Sequence, residues 1–155
     1  MTTIRVRTLV WMLALGAGFA GGKDSGAPVE YLGGTLATVE NGAGGSLRTN
    51  DPISLVFLTR KNAVRVPYER INLVEYGQKV DRRLTEAILI SPLLILSKRR
   101  AHYVTVGFET EDGKQQAMLF RIDKSAIRAV LVSLEARTGR KVTFMDEEAR
   151  KAGKG

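Results

Sequence analysis

The stretch YVTVGFETEDGKQQAMLFRI, Tyr103 to Ile122, decides the fold class. Val104, Val106 and Phe108 alternate with Tyr103 and Thr105, which is the two-residue period of a strand. Glu111-Asp112-Gly113-Lys114 then reads as a hairpin turn, with glycine where positive φ is wanted. Met118, Phe120 and Ile122 share one face of the return strand. A hairpin of this kind predicts an antiparallel sheet. The period changes immediately afterwards. Ile127, Val130, Leu131 and Leu134 follow the i, i+3, i+4, i+7 spacing of one buried helical stripe. Asp123 or Ser125 suits the N-cap and Gly139 the C-cap, so a helix is predicted over about 124–138.

Upstream, structure is predicted to begin near Val29. VEYLGGTLATVE reads as a strand broken by Gly33-Gly34, a pair that marks a bulge or a close backbone approach. Asn41 to Gly45 is a turn cluster, and Ser46 to Asn50 a short strand or loop stopped by Asp51-Pro52. Ile53 to Thr59, ISLVFLT, is a strand with Ile53, Leu55 and Phe57 on one face. Arg60-Lys61-Asn62 turns the chain into a strand over Ala63 to Val66, ended by Pro67. INLVEY, Ile71 to Tyr76, is a further strand with Ile71 and Leu73 facing one way, closed by Gly77. Val80 to Ile90 has helical spacing, and Ser91-Pro92 interrupts it. Pro92 to Leu96 reads as a short buried strand or turn. Val142 to Phe144 adds a short strand, and Asp146 to Gly155 is a charged tail, helical at first.

This order of elements is carried by ISLVFLT, VRVPYERINLVEYG, the Tyr103–Ile122 hairpin and the helix after it. It resembles the pleckstrin-homology-like barrels, including the GRAM and bacterial PH-like families, over roughly Gly45 to Gly139. The resemblance implies a mainly β (α+β) domain, an antiparallel, partly open barrel capped by a C-terminal amphipathic helix. It also implies binding of lipids, peptides or partner domains more often than catalysis. The stretch from Val80 to Leu96 departs from a plain barrel of this kind.

The 155 residues suit one domain, and a hydrophobic fraction of 44% allows a packed core. Residues 1–20 are read apart from it. Arg5 and Arg7 form a positive n-region, Thr8 to Phe19 an apolar h-region, and Gly18-Phe19-Ala20 a small-residue cleavage site. This is the pattern of a secretory signal peptide, too short for the roughly 20 residues of a spanning helix. Residues 21–28 form a flexible linker, 29–144 the domain and 145–155 the tail. The expected location is exported, periplasmic or secreted, with a membrane-associated protein held by an uncleaved signal as the alternative. Loss of residues 1–20 takes the net charge from +8 to +6. Cysteine is absent, which excludes disulfides and thiolate metal sites.

A basic balance favours an anionic partner. Two clusters carry it: Lys79, Arg82 and Arg83, then Lys98, Arg99 and Arg100. If they meet in space they form a site for phosphate or anionic headgroups; otherwise they are a solvated rim. His102, the sole histidine, is a weaker binding candidate, more in keeping with a surface or strand-edge position than with catalysis. No nucleophile–base motif and no second histidine accompany it, so neither a catalytic nor a metal-ligating set is read, and no cofactor is expected. Glu109, Glu111 and Asp112 lack the spacing of a calcium loop. GGKDS and NGAGGS lack the lysine-serine/threonine ending of a phosphate loop. No strand interleaves basic and aromatic residues, which disfavours nucleic acid. The sequence therefore reads as an exported, non-enzymatic binding module that contacts an anionic membrane surface or an acidic protein. A protein–protein or structural envelope domain with incidental charge is the alternative.

Overall fold

The computed structural model of the chain describes residues 26–80 and 101–154. Residues 1–25, which include the expected signal peptide, and 81–100, which hold most of the stretch of helical spacing from Val80 to Ile90 and all of Pro92 to Leu96, lie outside the described residues. The rest is mainly β. Eight strands form one sheet: β1 (Ala27–Gly34), β2 (Ala43–Arg48), β3 (Ser54–Thr59), β4 (Ala63–Pro67), β5 (Ile71–Gly77), β6 (His102–Glu109), β7 (Gln115–Ile122) and β8 (Thr143–Phe144). Two helices follow β7: α1 (Lys124–Thr138) and α2 (Glu147–Lys154). The sheet order is β4-β3-β2-β1-β7-β6-β5-β8. Two antiparallel meanders, β1 to β4 and β5 to β7, are thus joined by pairing of the first strand with the seventh. The sheet is not closed, and among the described residues β4 and β8 are its edges.

Alternation explains the core. Val104, Val106 and Phe108 of β6 face the same cluster as Met118, Phe120 and Ile122 of β7, as the hairpin pattern predicted. Gly113 supplies φ +76° in the turn between them. Tyr31, Phe57 and Phe120 form its aromatic centre, with ring centroids 5.0 to 6.1 Å apart. Such pairs add about 1 kcal/mol each beyond area burial. The α1 stripe of Ile127, Val130, Leu131 and Leu134 is buried in this cluster. Asp123 is the N-cap, and Gly139 ends the helix in the left-handed region at φ +67°. The opposite sheet face is apolar too. Leu32, Tyr103 and Leu119 are buried there with Val80, Ala101 and Ala117 packed against them. β6 is consequently buried on both faces.

Four local readings are corrected. The first strand starts at Ala27, inside the expected linker, and its bulge falls at Leu32, between Tyr31 and Gly33. β2 starts at Ala43, because Gly42, at φ +84°, already turns the chain. Ile53 is 71% exposed rather than core. The Asp51 carboxylate accepts the Ile53 and Ser54 N–H groups at 2.9 and 2.8 Å, a turn that delays the strand to Ser54. Leu73 does not share the core face of Ile71, because a register shift separates the two; Val74 and Tyr76 are the core residues. The charged tail also has more structure than its composition indicates. Beyond the expected short strand, which forms as β8 and pairs in parallel with β5, Ala149 of α2 is fully buried.

Candidate functional site

Of the basic candidates, Arg82, Arg83, Lys98, Arg99 and Arg100 lie outside the described residues. Lys79 is exposed just beyond β5. Residues 26–80 and 101–154 hold 16 Lys and Arg against 13 Asp and Glu, so the described part of the fold is nearly balanced. A general positive field does not single out a face here; local geometry has to.

His102 is not on the surface. It opens β6, an interior strand, opposite Ile122, and is only 7% exposed. Its Nδ1 lies 2.6 Å from the Tyr76 hydroxyl, and the two rings stack at 5.9 Å with 13° between planes. Burial pushes the imidazole below its ordinary value, and the nearby Lys124 ammonium adds to this. Burial also raises the Tyr76 phenol; Gln78 opposes the shift and Asp146 adds to it. Both groups are therefore neutral near pH 7. A neutral imidazole that accepts the Tyr76 O–H at Nδ1 carries its own proton at Nε2. The pair is a buried polar contact set into an aromatic wall, and Phe144 meets Tyr76 edge-on at 6.1 Å.

A cleft lies at the other meander. The β1–β2 connection and the β3–β4 turn bound a cleft of about 410 Å³. Val39, Glu40, Ala43 and Gly44 line one side, and Thr59, Arg60, Lys61 and Asn62 the other. The turn is fixed by Thr59, whose Oγ1 accepts the Lys61 and Asn62 N–H groups at 3.2 and 2.8 Å. The two sides are tied together. Asn62 donates its side-chain N–H to the Thr38 carbonyl at 2.5 Å, and Lys61 meets Glu40 at 3.1 Å. Lys61 is thus engaged, whereas Arg60 is exposed and makes no ion pair among the described residues. Val39 and Ala43 belong to the edge of the main core, so the floor of the cleft is apolar. Chemically this is an apolar seat with one uncommitted guanidinium at its rim, suited to holding an anionic group attached to an apolar body.

Sequence reasoning read Arg60-Lys61-Asn62 only as a turn. A paired cation at the tip of a hairpin was the available signal, but its partners Thr38 and Glu40 belong to a different hairpin. Among the described residues no group of three or more His, Cys, Asp or Glu side chains is placed to hold a metal ion. Among them, too, no helix is long and apolar enough to cross a membrane. No model of a known protein family matches this chain, and no curated protein matches it by sequence.

Proposed function

We propose that this chain is an exported, non-enzymatic binding module of PH-like layout whose cleft receives the anionic headgroups of a membrane surface. The support for the layout is the run of two antiparallel meanders, four strands and then three, followed by a helix with its apolar stripe in the core. The observation that carries the binding reading is the cleft itself: apolar at Val39 and Ala43, braced across its mouth, with Arg60 left uncommitted. Basic residues outside the cleft, Lys79 foremost among the described ones, add long-range attraction that salt screens. The test is co-sedimentation with anionic and neutral vesicles at low and high salt, comparing the chain with Arg60→Gln. Both proteins carry the same N-terminal residues, so their contribution cancels. The expected result is salt-sensitive binding to anionic vesicles, weakened about fivefold by the substitution, in line with the roughly 1 kcal/mol of one cation near an anionic surface. Equal binding by both proteins overturns the cleft as the seat.

A second reading, protein recognition by strand addition, is favoured by one observation: among the described residues β4 is paired on one side only. Arg65 and Pro67 within it blunt that edge, which ranks this reading below the first.

A further inference from the structure

The contact between Tyr76 and His102 sits where the end of the chain is attached to the sheet. Tyr76 takes part in that attachment through both its side chain and its backbone. Its carbonyl accepts the Met145 N–H at 2.9 Å, and its ring receives the edge of Phe144. Two residues on, the Gln78 N–H donates to Asp146 Oδ2 at 2.8 Å, and the Gln78 side chain reaches the Glu148 carbonyl at 3.4 Å. Asp146 Oδ1 also accepts the Ala149 N–H at 2.5 Å, so one carboxylate holds β5 and the first turn of α2 together. The chain comes so close that a Cβ at Gly77 would stand 3.2 Å from Met145 Cβ. The attachment is nevertheless small: β8 contributes two register pairs, and α2 a buried Ala149. Short attachments of this kind open at a lower cost than the strands they rest on.

We propose that β8 and α2 form an acid-released strap, with protonation of His102 as the trigger. The charged groups around the pair are placed for this. The charge of Lys124, exposed at the start of α1, reaches the imidazole and disfavours a second positive charge there. Tyr76 of β5 and Gln78 just after it are neutral, and the carboxylate of Asp146 bears on the Tyr76 phenol. In the closed state the imidazolium is buried beside an ammonium. Its Nδ1–H also displaces the O–H that Tyr76 donates, so the phenol has to reverse its role. Opening the strap uncovers the Tyr76 edge and hydrates the ring pair. Because the folded histidine titrates below its ordinary value, the closed state is fully favoured above that value and loses ground as pH falls through the folded one. Release also frees the β5 edge at Glu75–Tyr76, where β8 is the neighbouring strand.

The experiment follows amide exchange by NMR in the full chain from pH 7.5 to pH 5, corrected for intrinsic rates. His102 is the sole histidine, so its imidazole signal reports titration without ambiguity. The expected result is that opening at Met145 and Ala149 rises several-fold with the same midpoint as the imidazole. Amides of β1 and β7 should hold steady. In His102→Gln, whose side-chain oxygen can still accept the Tyr76 hydroxyl, the rise should vanish. Exchange that stays flat while the imidazole titrates overturns the proposal. So does an equal rise in His102→Gln. Should that variant not fold, the wild-type comparison of the two midpoints decides alone.

Discussion

The sheet joins distant parts of the chain at two places, and the two are built very differently. At the seam between β1 and β7, Arg121 pairs with Glu30 across 91 residues. At the strap, Gln78 meets Asp146 across 68. The entropy of closing loops of these lengths differs by only about 0.3 kcal/mol. What separates the two is burial. The seam has five register pairs and the Tyr31–Phe57–Phe120 cluster behind it. The strap has two register pairs, one aromatic edge and one bridging carboxylate. Long-range contact is therefore not a measure of strength in this molecule. The seam belongs to the fold, and the strap rests on it.

The strongest test of that contrast is Gly34→Ala. A Cβ at Gly34 would collide with the Ala117 carbonyl and lie 2.5 Å from the Tyr31 hydroxyl, and backbone on the partner strand cannot give way cheaply. A loss of about 3 kcal/mol in urea unfolding is expected, the upper range for overpacking. Gly44→Ala is the control. A Cβ there meets nothing within 4 Å, so its effect should stay within about 0.5 kcal/mol. If the two substitutions cost the same, the seam is not the tight element described here.

The inward-facing residues of β7 at the seam were legible in the sequence, as were the short strand of β8 and the helical start of the tail; that β1 pairs with β7, and that the tail docks on β5, was not. Strict alternation in β6 and β7 announces which side chains face inward, and the Gly33-Gly34 pair marks the close approach at Gly34, beside the bulge at Leu32. Ile53 and Leu73 were misplaced for local reasons, an Asp51 turn and a register shift, that alternation cannot register. The tail DEEARKAGKG shows no apolar run, because among its described side chains Ala149 is the one in the core and Asp146 does the anchoring. His102 looked solitary because its partner, Tyr76, lies 26 residues earlier on another strand. The cleft was invisible for the same reason, since its two sides come from residues 39–44 and 59–62.

Phe144→Ala tests the strap from the other side. Phe144 is half-buried against Tyr76, so its truncation should cost about 1.5 kcal/mol, less than a fully buried phenylalanine. The sharper expectation is where the loss appears. Amides of Met145 and Ala149 should exchange faster, while those of β1 and β7 keep their protection. An equal loss of protection in β1 and β7 would show that strap and sheet unfold as one unit, and the contrast between the two joints would fall.

The smallest effect expected is at Asp51, and it fixes the order in which the two regions respond to acid. Its carboxylate accepts the Ile53 and Ser54 N–H groups, which hold it below the ordinary carboxylate range; Arg65, 3.5 Å away, adds to this. The stability it contributes is therefore present above that range and lost as pH falls through the lowered folded value. Asp112, held down by Lys114 and Thr110, behaves likewise. Asp51→Asn keeps an oxygen that can accept both N–H groups, so the turn should form and only the pH dependence should weaken. Urea midpoints measured from pH 6 down to pH 3 should fall less steeply in the variant below pH 4, and run parallel to wild type above it. The strap loosens first, as His102 gains its proton below the ordinary histidine value. The first meander weakens later, in the carboxylate range. A variant whose midpoints diverge from wild type already near pH 6 would reverse that order and tie Asp51 to the same event as His102.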